Sequence, residues 1–215
     1  MSEPDVMFTE AFWEERYGAT ESVWSGNPNA VLVAEAGDLV PGTALDIGCG
    51  EGADAVWLAE RGWQVTAADF STVALARGAE HAAARGSDVA TRISWTHVDV
   101  RTWEPPAATF DLVSSQFMHL PGMQAQELFA RLAAAVTPGG TLLVVGHHPS
   151  DLHTTMHRPP FPEIFFTAED VAAGLDPEQW EIVVTDERPK DTTDQDGRAV
   201  TIHFAVLRAR RRVAG

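Results

Sequence analysis

The stretch Ala44-Leu45-Asp46-Ile47-Gly48-Cys49-Gly50-Glu51-Gly52 restricts the fold of this chain more than any other. An apolar run carrying one Asp leads into three glycines at alternate positions, and the segment Ala53 to Arg61 that follows suits a helix. This order reads as a buried strand, a tight turn and a helix N-terminus, the arrangement by which α/β folds approach nucleotide-like cofactors. Glycines at such a turn let backbone N–H groups come close to a ligand that side chains would hold off. The spacing is G-x-G-x-G rather than G-x-G-x-x-G. No Lys-Ser or Lys-Thr follows, which excludes a phosphate-cradling P-loop.

From residue 43 onward, strand and helix patterns alternate. Strands are expected at Thr43–Ile47, Gln64–Ala68, Ile93–Val98, Phe110–Ser114 and Thr141–Val145. Between them lie helices at Ala53–Arg61, Thr72–Arg85 and Gln124–Val136, the second capped by Ser71 and ended by Gly86, the third stopped by Pro138-Gly139-Gly140. Such repeated units imply a mostly parallel, doubly wound sheet with helices on both faces. Further on, Ala168–Ala173 suits a short helix, while Trp180–Asp186 and Ala199–Leu207 alternate like strands around a polar turn at Asp191–Gly197. A short turn joins antiparallel neighbours, so the sheet is expected to have seven strands and to end in an antiparallel hairpin. Ahead of the core, Phe8, Phe12 and Trp13 share a helical face, and Asn29 can cap a helix over Ala30 to Ala36. No internal repeat or linker breaks the chain. One domain over 1–215 is expected, with an N-terminal cap (1–42), a core (43–146) and a last part (147–215) holding a His- and Pro-rich loop and the hairpin.

Composition excludes several functions. Thirty-one Asp and Glu against 15 Lys and Arg give a formal net charge of −16. Nucleic-acid binding relies on clustered cations, so no nucleic-acid partner is expected. The one basic cluster, Arg208, Arg210, Arg211 and Arg212, reads as a frayed, solvated tail. A single cysteine, Cys49, excludes an internal disulfide and a multi-cysteine metal site. Neither a signal peptide nor a membrane-spanning run is evident, so a cytoplasmic protein with no membrane partner is expected.

The glycine turn and the Asp residues closing successive strands resemble the class I S-adenosylmethionine (SAM) methyltransferases, strongly over residues 43–146 and loosely elsewhere. The resemblance implies a Rossmann-like fold, SAM as cofactor and S-adenosylhomocysteine as product. It implies that Asp46 supports the turn and the SAM ammonium, with Gly48, Gly50 and Gly52 forming the turn. Asp69 would take the ribose hydroxyls, since a carboxylate can accept from both. Phe70 would pack on adenine, Asp99 would accept the adenine amino group beside the Val100 backbone, and Ser115, Gln116 and Phe117 would line the methionine part. The segment Phe12-Trp13-x-x-Arg16-Tyr17 with Val23-Trp24-x-Gly26-x-Pro28 is similar to the leading segment of small-molecule methyltransferases of the thiopurine and tellurite-resistance type. Trp13, Tyr17 and Trp24 would then cover SAM or touch the acceptor, aromatic faces suiting a sulfonium cation.

Methyl transfer needs alignment above all, and a base only where the acceptor must lose a proton. Three histidines stand where strands end: His119 after the fourth, His147 and His148 after the fifth. His119 is the first candidate base or orienting group and His148 the second; Tyr17, Trp24, His119, His147 and His148 are the expected acceptor-side residues. His153 and His157 match no metal-ligand spacing, so no metal is expected and the loop reads as a lid. The leading reading is a methyltransferase acting on O, N or S of a small-molecule acceptor, as a monomer or homodimer. Two alternatives stay open: a nicotinamide (NAD(P)) oxidoreductase, because Asp69 also suits the ribose position of that fold, and a non-catalytic SAM-binding protein.

Overall fold

A computed structural model describes residues 8–213 of the 215-residue chain. The expected positions within residues 1–7 of the N-terminal cap lie outside the described residues. Two helices, α1 (Glu10–Gly18) and α2 (Ala30–Ala36), precede the first strand, β1 (Thr43–Ile47). There follow α3 (Ala53–Glu60), β2 (Gln64–Asp69), α4 (Thr72–Arg85), the short α5 (Ser87–Ala90), β3 (Ile93–His97), β4 (Phe110–Gln116), α6 (Gly122–Ala135) and β5 (Val136–His147). The chain closes with two 3₁₀ turns, Pro149–His153 and Pro162–Ile164, then α7 (Ala168–Ala172), β6 (Trp180–Thr193) and β7 (Ala199–Arg211).

The seven strands form one sheet in the order β3-β2-β1-β4-β5-β7-β6. The first five are parallel, while β7 runs antiparallel between β5 and β6. The direction of the chain reverses on either side of β1 and β4, and in open α/β sheets the crevice at such a switch point, outside the carboxyl ends of the strands, is where ligands sit. The expected helix starts hold: Asn29 accepts from the Val31 amide, and Ser71 from that of Ala74 at 3.1 Å. Both satisfy donors that the first turn of a helix leaves free.

Strand residues alternate faces, and the two cores follow this period. Leu45, Ile47, Val113, Leu142 and Val144 pack with Leu128 and Leu132 of α6 on one face. Ala44, Leu112, Leu143 and Val145 pack with Leu32 of α2 and Leu58 of α3 on the other. Trp63, almost wholly buried, completes that second core. Among the described residues no helix is long and apolar enough to cross a membrane.

The C-terminal third corrects two sequence expectations. The hairpin is longer than its apolar alternation suggests: β6 runs to Thr193 through the polar run Glu187-Arg188-Pro189-Lys190-Asp191, each residue paired with β7. Pro189 is tolerated because β6 is an edge strand. The Arg-rich end is not a frayed tail. Arg208, Arg210 and Arg211 lie within β7, Arg208 faces Glu35 at 3.5 Å, and Arg210 donates to the Gly139 carbonyl. Ladder pairing with β5 and β6 holds this segment, and its charges are taken up locally.

One packing detail links the glycine turn to the helices. A Cβ on Gly78, in the middle of α4, would collide with the Trp95 indole, as would one on Gly52. Trp95 of β3 therefore fills the space that two glycines leave open. Helix propensity alone would favour Gly78→Ala by about 1 kcal/mol. We expect the overpacking to outweigh it, giving a net loss of roughly 1–3 kcal/mol in urea unfolding. A variant more stable than the parent would show that the indole is free to move aside.

Candidate functional site

A cavity of about 1170 Å³ opens at the carboxyl ends of the parallel strands. It exceeds the roughly 300–1,000 Å³ usual for a drug-sized ligand, so it has room for two. Its lining includes Asp46, Gly48, Gly50, Gly52, Asp69, Phe70, Val100 and Gln116 from the sheet edge, and Trp13, Tyr17 and Trp24 from the N-terminal segment. His119 and His147 line it as well. Apart from Asp99, His148 and Ser115, which is wholly buried within β4, the candidate residues read from the sequence therefore gather around one space.

The glycine turn is held by Asp69. Its Oδ2 accepts from the Gly50 amide and its Oδ1 from the Ser71 amide, both at 2.9 Å. Each oxygen keeps a further lone pair for a ligand. Burial pushes the Asp69 carboxyl upward against these backbone hydrogen bonds. Asp46, buried at the end of β1, is more extreme: burial and the charges of Asp54 and Asp69 raise it well above the carboxylate range, and its Oδ2 has no partner. Asp54, at the start of α3, is raised by burial to about 6 although it accepts from the Asn29 amide. Gln116 donates its amide to Ser114 Oγ at 3.0 Å and leaves Oε1 buried without a partner. Buried acceptors without donors are costly. Asp46 Oδ2 and Gln116 Oε1 thus face a common cavity prepared for a ligand that brings N–H donors and positive charge.

Asp99 corrects its expected placement. Its two oxygens are drawn onto the Arg101 guanidinium at 2.9 and 2.7 Å, and Asp99 does not line the cavity, whereas Val100 and Arg101 do. An arginine two residues away offers a bidentate partner that no strand pattern reveals.

The histidines also differ from expectation. His119 Nδ1 lies 2.8 Å from the Ile164 carbonyl, which can only accept, so Nδ1 carries the proton. Its Nε2 then accepts from the His147 amide at 3.3 Å. Burial lowers this imidazole to about 4. With both nitrogens engaged by backbone and protonation disfavoured, His119 ties β4 to β5 and to the Pro162–Ile164 turn and lacks the free lone pair that a base needs. His147 stacks on it, ring centroids 5.1 Å apart, and is lowered to about 2 by burial and by His119, Arg158 and Lys190. Its Nδ1 sits 3.6 Å from Asp151, but a neutral ring makes no ion pair there. His148 points away from the cavity, its Nδ1 accepting from the Ser150 amide, because neighbours on an extended strand face opposite sides. Among the described residues, no three His, Cys, Asp or Glu side chains gather as metal ligands.

The N-terminal segment is anchored by residues that the sequence reading did not single out. Glu51, inside the glycine motif, accepts from the amides of Val23 and Trp24 at 3.1 Å and from Arg77 Nη1 at 2.9 Å. Arg77 also donates to the Tyr17 carbonyl at 2.8 Å. Burial alone would raise Glu51, yet the hydrogen bonds from Arg77, Trp24 and Val23 hold it below its ordinary value. The Tyr17 hydroxyl accepts from Trp24 Nε1 at 2.9 Å, and a Cβ on Gly50 would stand 2.9 Å from that oxygen. The glycine here makes room for the aromatic pair as well as for a ligand. Phe117 has φ 54°, a conformation uncommon outside glycine, and its ring meets His147 and Phe204 at centroid distances of 4.8 and 5.0 Å. The only signal for Glu51 in the chain is its place among the glycines.

Removing the Glu51 carboxylate strands a half-buried guanidinium and two amides. Hydrogen bonds to charged groups are each worth roughly 1.5–3 kcal/mol. In Glu51→Gln, amide exchange at Val23 and Trp24 should quicken by about tenfold or more while β1 and β4 stay protected. Unchanged exchange at these amides would mean that other contacts hold the segment.

Residues 44–140 match a protein family described as a methyltransferase domain. An uncharacterised methyltransferase of Mycobacterium tuberculosis is 38% identical over 125 residues, a match that spans 57% of this chain and 59% of that protein. The chain thus spans about three fifths of the length of this curated relative. Among solved structures, TehB from Haemophilus influenzae superposes with TM-score 0.70 at 22% identity, covering 94% of this chain and 67% of that one. The N-methyltransferase NodS from Bradyrhizobium japonicum, in complex with S-adenosylhomocysteine, superposes with TM-score 0.69 at 20% identity, covering 94% and 98%.

Proposed function

We propose that the chain is a methyltransferase that moves a methyl group from SAM to O, N or S of a small molecule, since residues 44–140 match a methyltransferase domain and the chain has a class I, Rossmann-like fold. The observation that carries this reading is the pair of partnerless buried acceptors, Asp46 Oδ2 and Gln116 Oε1, facing one cavity among three carboxylates of raised affinity for protons. When bound, SAM supplies a methyl carbon activated by positive sulfur.

The rest falls to the chain. Asp46 and Gln116 would accept from the SAM ammonium, and Asp69 would use its remaining lone pairs on the ribose hydroxyls. Phe70 and Val100 would hold the adenine. Trp13, Tyr17 and Trp24 form a roof that keeps water out, which strengthens every charge interaction beneath it. Holding donor and acceptor in line can lower the barrier by roughly 7–11 kcal/mol. Both ring nitrogens of His119 are engaged by backbone, so the reading favours alignment of an acceptor that takes no base from His119. His119 then acts as a positioning residue, fixing the ends of β4 and β5 that face the acceptor.

Calorimetric titration tests this. SAM should bind and NAD should not. Asp69→Ala should weaken SAM by roughly ten- to a hundredfold, the equivalent of one lost charged hydrogen bond. A cationic ligand prefers ionised carboxylates and therefore displaces their protons. Affinity should rise with pH while Asp46 and Asp54 ionise and fall as pH drops through about 6, where Asp54 takes up its proton. The limit is about tenfold per pH unit for each proton released. Asp46→Asn should weaken SAM and flatten this slope. Binding of NAD in place of SAM, or a SAM affinity constant from pH 5 to 8, would sink the assignment.

A further inference from the structure

The cavity lining carries both signs of charge. Its cofactor half holds Asp46, Glu51, Asp54 and Asp69, with Arg16 and Arg101. The part built by the loop after β5 and by β6 carries Arg158, Arg188 and Lys190 and no carboxylate, in a chain whose formal net charge is −16. These cations are not equivalent. Arg188 is taken up by Glu35 and by Asp186 at 3.0 Å. Arg158 donates Nε and Nη2 to the fully buried Asp151, at 3.2 and 2.8 Å, which leaves Nη1 without a hydrogen bond among the described residues. Asp151 is itself held by the His203 amide at 2.8 Å, so the guanidinium stands in a fixed position. Lys190, the one lysine of the chain, has no ion pair among the described residues, and its ammonium lies 5.6 Å from the centre of the Phe204 ring. Both cations lie near His147: its Nδ1 is 3.6 Å from the Asp151 oxygen that Arg158 Nη2 reaches at 2.8 Å, and its ring centre is 6.1 Å from that of Phe204, beside Lys190.

The same wall is apolar between the charges. Phe117, Phe165, Phe204 and Met156 line it, and the long β6–β7 hairpin that carries Lys190 and Phe204 reaches past His147, the last residue of β5. A neutral apolar acceptor would leave Lys190 and the free Arg158 nitrogen uncompensated, while a cation would be repelled. Resting on the methyltransferase reading of this site, we propose that the acceptor is an organic anion, an apolar ring or chain bearing a carboxylate that sits between Lys190 and Arg158 with its apolar part against Phe117 and Phe204. Lysine supplies a point charge at the mouth and arginine a fixed N–H donor deeper in, a pair that suits a carboxylate oxygen.

Paired probes test this on the full chain, titrated with and without saturating S-adenosylhomocysteine: benzoate against benzamide, and 2-naphthoate against 2-naphthamide. Each carboxylate should bind at least about tenfold more tightly than its amide, one charged contact being enough for that ratio. Lys190→Met should abolish most of the preference, and Lys190→Arg should restore it. S-adenosylhomocysteine affinity should stay the same in both variants, since Lys190 lies outside the cofactor half. Lys190 is exposed on an edge strand, so neither change threatens folding. No carboxylate binding more tightly than its amide, or a preference that survives in Lys190→Met, overturns the proposal. Failure of S-adenosylhomocysteine to bind, with the carboxylate preference intact in its absence, would count against the methyltransferase reading and leave the anion site standing.

Discussion

Much of the functional edge of this molecule rests on one carboxylate. Asp69 closes β2 and reaches across to the Gly50 amide, fixing the turn that follows β1. Because the turn is fixed and has no side chain at Gly50, the Tyr17–Trp24 pair can lie directly against it. Glu51, the next residue, is thereby aimed at the Val23 and Trp24 amides and at Arg77. Sheet, turn, α4 and N-terminal segment meet within a few bonds of Asp69. The price of burying this carboxylate is its raised affinity for protons, offset by the backbone amides that donate to it.

Charge is distributed unevenly around the cavity. Carboxylates crowd the end of β1, the start of α3 and the end of β2, where burial raises all three and Asp54 and Asp69 raise Asp46 further. Across the cavity the cations come from elements far away in the chain, the loop after β5 and the edge strand β6. The neutral His119–His147 stack lies between, with one ring engaged at both nitrogens by backbone. The strained Phe117 backbone, whose N–H donates a hydrogen bond to the Val145 carbonyl at 2.7 Å, sets a ring beside that stack. Strain of about 1–3 kcal/mol persists only where the surroundings enforce it, and strand β5 does so here.

Local chemistry made a large part of this legible. The five parallel strands, the caps Asn29 and Ser71 and the glycine turn depend on short-range patterns, and each is present. The placement of Asp46 and Asp69 on the cavity wall was legible because a strand that ends at the carboxyl edge of the sheet brings its last side chains there whatever the rest of the chain does. Asp99 shows the limit of the same argument: it ends up beside the right loop, but Arg101 competes for it. The histidines were misread for a related reason. Their positions after β4 and β5 are correct, but a hydrogen bond from His119 to Ile164 spans 45 residues and cannot be seen in a strand pattern. The polar half of β6 was missed because an edge strand needs no apolar alternation once its partner supplies the ladder.

What the sequence by itself determined is the succession of strands and helices and the place of the glycine turn, since strand period, helix caps and glycine spacing act over a few residues, while the strand order belongs to the tertiary structure. Only the tertiary structure decided the charge of each group and its availability. Burial beside Asp54 and Asp69 turns Asp46 into a partnerless acceptor. Two backbone contacts turn His119 from a candidate base into a brace. The folding of a polar hairpin over the sheet brings Lys190 to a cavity that its neighbours in the chain do not reveal. Protonation and hydrogen-bond partnership depend on distances of a few ångströms between residues remote in sequence, and those distances exist only once the sheet has formed.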